Sequence, residues 1–243
     1  MSTLHSDVAG LHLHALDIIT GTDNNDMLIG TDGDDTIVAG NGNDFVDAGD
    51  GNDTIIGGAG DDDLHGGAGN DFILADDSGA GNGNDRVFGD DGDDQIVGGV
   101  GSDELHGGNG DDIIYGDQVA DGQSGRVGGD DILNGDAGND HLFGGEGNDQ
   151  ISGDAGDDTL TGGVGNDTFM FNTTTEGVER DTITDFQSGQ DVVDLNGVGA
   201  DFNVMDHLTD TADGATLQTD TGQTIVFEGL HVADLHATDF HVS

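Results

Sequence analysis

A nine-residue period runs from Gly21 to Met170, and it restricts the possible folds more than any other property of the chain. One unit reads Gly57-Gly58-Ala59-Gly60-Asp61-Asp62-Asp63-Leu64-His65, and the next reads Gly66-Gly67-Ala68-Gly69-Asn70-Asp71-Phe72-Ile73-Leu74. Fifteen units can be placed, six in tandem over residues 21–74, four over 80–115 and five over 126–170. Two interruptions, near 75–79 and 116–125, read as loops. The sixth position is aspartate in every unit: Asp26, Asp35, Asp44, Asp53, Asp62, Asp71, Asp85, Asp94, Asp103, Asp112, Asp131, Asp140, Asp149, Asp158 and Asp167. The eighth is always apolar, from Leu28 and Ile37 to Leu160 and Phe169, and it stands between mixed neighbours. That alternation is the signature of a three-residue strand. The fourth position is glycine in fourteen units, namely Gly33, Gly42, Gly51, Gly60, Gly69, Gly83, Gly92, Gly101, Gly110, Gly129, Gly138, Gly147, Gly156 and Gly165, with Asn24 in the first. Glycine or asparagine is what a tight turn requires where φ is positive. Each unit is therefore a six-residue turn followed by a short strand.

Two units make one coil of a flattened helix, in which eighth-position side chains from opposite strands meet as a thin aliphatic core. Turns then stack in two columns, turn n against turn n+2, at the ~4.8 Å spacing of neighbouring strands. Stacking brings like-charged aspartates together. The whole chain has the same difficulty, since 52 acidic residues face 3 basic ones and the formal charge is −49. With only 32% apolar residues, it has the composition of a disordered polymer unless something neutralises it. Paired carboxylates ringed by carbonyl oxygens of glycine-rich turns form an all-oxygen cage for a hard divalent cation. Calcium suits that cage better than magnesium, which dehydrates reluctantly and demands a tighter octahedron.

The same composition excludes several functions. Phosphate neutralisation, and with it nucleic-acid binding, is ruled out, and anionic membrane surfaces are disfavoured. The absence of cysteine removes disulfides and thiolate metal sites. Catalytic residues are not evident: no Gly-x-Ser-x-Gly elbow occurs, and His12 and His14 lack both a third ligand and a His-Glu-x-x-His context. His65, His106 and His141 fall at outward repeat positions.

The unit resembles the repeats-in-toxin, or haemolysin-type, calcium-binding nonapeptide Gly-Gly-x-Gly-x-Asp-x-apolar-x over residues 21–170. The resemblance implies an all-β fold, a right-handed parallel β-roll. It also implies calcium ions held between turns n and n+2 by two sixth-position carboxylates, for example Asp62 with Asp44 and Asp71 with Asp53, together with main-chain carbonyls of positions one to four. Fifth-position acids such as Asp34 and Asp61 fall outside that ligand set. If the interruptions break the columns, the units form nine pairs; if they only loop out, thirteen.

Beyond Met170 the segment from Asp181 to Leu195 resembles the C-terminal flank of secreted serralysin-type proteins, and Leu235 to Ser243 resembles their uncleaved secretion signal. Residues 213–230 predict a hairpin around Asp220-Thr221-Gly222. The expected organisation is an N-terminal lead over 1–20, the roll over 21–170, and a β-rich cap with the secretion signal over 171–243. The expected function is that of a non-enzymatic, extracellular calcium-binding protein, disordered without calcium; the resemblance implies that it is exported unfolded by a type I secretion apparatus and folds on calcium outside the cell. Two other readings stay open, a calcium-folding module of an exported enzyme and a surface or matrix adhesion protein.

Overall fold

The computed structural model describes residues 18–76, 83–117, 128–173, 179–199 and 201–243. Numbered along the chain, the strands divide between two sheets. The twelve-stranded sheet holds β1 (Ile18–Thr20), β3 (Thr36–Asn41), β5 (Thr54–Ala59), β7 (Phe72–Asp76), β9 (Gln95–Gly99), β11 (Ile113–Asp117), β13 (His141–Glu146), β15 (Thr159–Val164), β17 (Arg180–Ile183), β19 (Leu208–Asp210), β20 (Gly214–Gln218) and β21 (Thr224–Glu228). The ten-stranded sheet holds β2 (Met27–Thr31), β4 (Phe45–Asp50), β6 (Asp63–Ala68), β8 (Arg86–Asp91), β10 (Glu104–Asn109), β12 (Ile132–Ala137), β14 (Gln150–Ser152), β16 (Thr168–Asn172), β18 (Val192–Asn196) and β22 (Phe240–Val242). From β1 to β18 the chain alternates between the sheets, and each of these strands pairs in parallel with the strand one coil away. Among the described residues there is no α-helix. This is the parallel β-roll that the repeat implies.

Register follows directly from the period. Ile37 pairs with Ile55 and Val46 with Leu64, so identical repeat positions lie side by side. Across the first interruption Leu64 pairs with Val87 and Ile73 with Ile96; across the second, Leu105 pairs with Leu133 and Ile114 with Leu142. Both insertions leave from one side of the roll, after β7 and after β11, and so change the turn without shifting the strands. Ala75 and Asp76, and Gly116 and Asp117, expected in loops, instead close β7 and β11. Residues 77–82 and 118–127 lie outside the described residues, as do His12 and His14.

Every eighth-position side chain from Ile37 to Phe169 is fully buried, and the first, Leu28, is packed at the edge. Each such side chain contributes about 1.5–3 kcal/mol. The core is one side chain thick per sheet, because positions seven and nine must point away from it.

Parallel pairing continues past the end of the nine-residue spacing. β17 joins β15, and β18 joins β16, placing Ile183 and Val193 in the same core. It also begins before Gly21, since Ile19 pairs with Ile37. At the C-terminal end β21 adds in parallel to β17, and β20 and β19 then turn antiparallel. The β20–β21 hairpin lies where it is expected and carries the buried Leu217, Ile225 and Phe227 over the last coil. β22 closes the edge of the other sheet against β18, with Phe240 set edge-on to Phe227 at 5.9 Å.

Candidate metal centre

Each sixth-position aspartate ends a turn immediately before a strand, which aims its carboxylate into the gap between successive turns. The main chain holds it there. Asp26 N–H donates to Asp44 Oδ1 at 2.7 Å, Asp44 to Asp62 at 2.8 Å, and Asp149 to Asp167 at 3.0 Å. The second column repeats the pattern, with Asp35 to Asp53 at 2.6 Å and Asp140 to Asp158 at 2.9 Å. Neither interruption breaks a column: Asp62 reaches Asp85 and Asp71 reaches Asp94 across the first, and Asp103 reaches Asp131 and Asp112 reaches Asp140 across the second. The columns end one residue beyond the repeats on each side, at Asp191 and Asp181.

One carboxylate oxygen is thus satisfied and the other is not. From Asp44 to Asp167, thirteen successive rung residues leave Oδ2 buried without a hydrogen-bond partner, although none of these side chains is more than 3% exposed. A buried, unsatisfied carboxylate oxygen costs several kcal/mol unless a cation or a proton meets it. The ends of the columns differ. Asp26 Oδ2 accepts from Thr22 N–H and Oγ1 at 2.6 and 2.8 Å, and Asp35 Oδ2 accepts from Thr31 in the same way. At the far end Asp181 Oδ2 accepts from Gln223 Nε2 at 3.2 Å and Asp191 Oδ2 from Gln187 N–H at 2.7 Å. Both ends are closed by protein donors, while every rung between them is open.

The open rungs have the donor set of a hard cation. A Cβ placed on Gly57 would lie 2.7 Å from Asp62 Oδ2 and 2.5 Å from Ala75 O, so the space that glycine leaves clear is lined by a carboxylate and a carbonyl of the next coil. Gly66 has the same relation to Asp71 Oδ2 and Gly89 O. Among the described residues no three histidine, aspartate or glutamate side chains converge on one point. A cation held in a rung would therefore meet at most two such carboxylates and would need main-chain carbonyls to complete its shell. Ten of the fourteen fourth-position glycines have positive φ, among them Gly60 at 124° and Gly92 at 141°, and their carbonyls stack coil on coil. These donors fit calcium.

Electrostatics agrees with the geometry. Burial, reinforced by the carboxylates of adjacent rungs, pushes Asp131 and Asp140 up to about 8 and Asp62, Asp71, Asp103 and Asp149 to about 7. The folded columns therefore demand protons or cations at neutral pH.

The chain matches the RTX calcium-binding nonapeptide repeat family over residues 20–55, 39–73, 80–105, 88–122, 127–160 and 143–172, more than half its length. It belongs to that family. It is similar to the solution structure of the AlgE6R3 subunit of the Azotobacter vinelandii mannuronan C5-epimerase, at 28% identity and a TM-score of 0.43, over 56% of this chain and 80% of that one. It is also similar to the crystal structure of the extracellular lipase LipA of Serratia marcescens, at 19% identity and a TM-score of 0.42. That match covers 89% of this chain, which spans 40% of the lipase. No curated protein sequence matches it.

The RTX roll thus is a calcium-binding β-roll module, and it brings the fifteen aspartates of its repeats into two continuous columns. The exposed fifth-position Asp34 and Asp61 point away from them and accept from the turns one coil away, Asn52 N–H and Asn84 N–H. Repeat logic missed Asp181 and Asp191, although the triplets Asp181-Thr182-Ile183 and Asp191-Val192-Val193 reproduce positions six to eight. It also missed the closing donors Thr22, Thr31, Gln187 and Gln223. The two threonines do carry a signal, standing where most later units have glycine at position two.

Proposed function

We propose that this RTX chain is an exported, non-catalytic protein that is disordered without calcium, and that thirteen calcium ions, one per open Oδ2, fold it outside the cell. The observation that carries the reading is the match between the open oxygens and the rungs: thirteen open between two pairs of closed ends. Each ion would sit between sixth-position carboxylates of neighbouring coils, with carbonyls of positions one to four, the fourth-position glycines included, around it. Thirteen ions would bring the formal charge from −49 to −23, leaving the folded form acidic and soluble.

Mass action supports the environment as the trigger. Extracellular calcium modules bind with dissociation constants of roughly 0.1–1 mM, so a tenfold excess contributes about 1.4 kcal/mol per site. Thirteen such sites give about 18 kcal/mol, beyond the usual stability of a domain. At cytoplasmic calcium that contribution falls nearly to zero, and self-repulsion keeps the chain open for passage through a type I secretion apparatus. In this reading the C-terminal residues from Leu235 to Ser243 carry the export signal, residues 171–243 carry the roll on through β17 and β18 and then cap it, and the N-terminal residues form a lead.

Far-ultraviolet circular dichroism during parallel calcium and magnesium titrations tests the folding claim, and native mass spectrometry of the calcium-loaded protein tests the count. A coil-to-β transition driven by calcium alone, ending at thirteen ions, is expected. Equivalent folding by magnesium, or saturation near nine ions, would overturn the selectivity or the count.

A further inference from the structure

The two outer faces of the roll obey the same register but differ along their ninth-position rows. On the ten-stranded sheet the ninth-position row, flanked by Ile29 and Met170, runs Asp47, His65, Phe88, His106, Asn134, Ser152, a mostly polar row in which His65 and His106 stack against Phe88 at 4.6 and 4.9 Å. On the twelve-stranded sheet the equivalent row is Val38, Ile56, Leu74, Val97, Tyr115, Phe143, apolar at six consecutive rungs. These side chains alternate with the fully buried eighth position and so point outward. They remain partly exposed, and Phe72 and Ile113 beside them are 38% and 36% exposed. Among the described residues no element stacks across this face. At ~4.8 Å per strand the row is about 24 Å long. The polar row opposite demonstrates that the roll itself does not require an apolar outer face, and an unbroken stripe of this kind marks an interaction surface.

Its rims define the partner. The turns on one side carry the exposed Asp34, Asp93 and Asp111, and those on the other carry Asp61, Asp130 and Glu146. The chain contains no lysine, and its three arginines are Arg86 on the opposite sheet, Arg180 beyond the stripe, and Arg126. A second copy would set acidic rim against acidic rim, and an anionic lipid surface would meet the same repulsion. We propose that the outer face of the twelve-stranded sheet, along the row from Val38 to Phe143, binds a cationic amphipathic polypeptide, apolar side chains on the stripe and lysine or arginine on the two rims. Such charge pairing speeds encounter and selects the partner, while the buried stripe supplies the hold.

The chain carries its own reporter, because Tyr115 in the stripe is its single tyrosine and tryptophan is absent. The test titrates the full-length, calcium-saturated protein with a peptide of about ten alternating leucines and lysines, long enough to span the row, and with a glycine-lysine peptide of equal length and charge. The leucine-lysine peptide is expected to bind about tenfold or more tightly than the glycine-lysine one and to change Tyr115 emission saturably. The triple variant Ile56→Thr, Leu74→Thr, Val97→Thr is expected to remove that advantage, whereas Phe88→Thr on the other face leaves it intact. Should the triple variant not reach the calcium-loaded dichroism spectrum, the unmodified protein's Tyr115 signal decides. Equal affinities for the two peptides, binding without a Tyr115 response, self-association that produces that response, or adsorption to anionic vesicles would each overturn the proposal.

Discussion

Replacing Asp62 by asparagine preserves the acceptor for Asp44 N–H at 2.8 Å but removes the charge whose second oxygen is open to the rung. Its carboxylate stands between Asp44 and Asp85, so Asp62→Asn is expected to weaken two neighbouring sites, raising the calcium midpoint several-fold and flattening the transition. Asp61→Asn, one residue away and exposed, is expected to leave both within error. Circular dichroism against free calcium reads the two variants, and equal midpoints would contradict shared carboxylates. The contrast between the two positions is visible in the sequence, since Asp62 belongs to an invariant series and Asp61 to a variable one. The status of individual oxygens is visible only in part. Thr22 and Thr31 meet Oδ2 four residues away in their own units and are visible as threonine at position two, whereas Gln223 comes to Asp181 from 42 residues further on, and no residue-level pattern encodes that neighbour.

Strands and turns were legible wherever the period held, because positions six and eight fix the turn exit and the core face together. The roll's extension through β17 and β18 was not, because its coils return after 23 and 24 residues rather than 18, as the pairs Asp158 with Asp181 and Asp167 with Asp191 record. The insertions were ambiguous for a related reason: five or ten extra residues preserve the columns only if they leave from the turn side, which spacing alone does not reveal. The cap is bound to the last rung by Gln223, itself 5% exposed. Gln223→Ala would leave Asp181 Oδ2 buried without this donor, and is expected to cost about 1–3 kcal/mol in calcium, measured by urea denaturation. In the thin core, Leu105→Ala should cost about 2–5 kcal/mol by the same measurement, since no second layer can collapse into the gap.

At the scale of the molecule, protons and calcium compete for the same oxygens, and the sign of the pH effect depends on which is present. Burial raises the folded-state pKa of rung residues such as Asp112 and Asp131, to about 7 and about 8, from an ordinary 3.8. Without metal the folded state therefore binds more protons than the unfolded chain, and its stability is greatest below about pH 4 and lost as pH rises toward 7 to 8. Metal-free protein is expected to gain β structure on acidification from pH 7.5 to 4.5, whereas calcium-loaded protein at limiting calcium should lose affinity over the same range. Dichroism of the two samples checks both signs. The central claim, that cations hold the roll together at neutral pH, is tested most directly by small-angle X-ray scattering at pH 7.5. In chelator the account predicts a self-repelling coil with a radius of gyration of about 54 Å, contracting to about half that or less when calcium is restored; a chain already compact in chelator would contradict it.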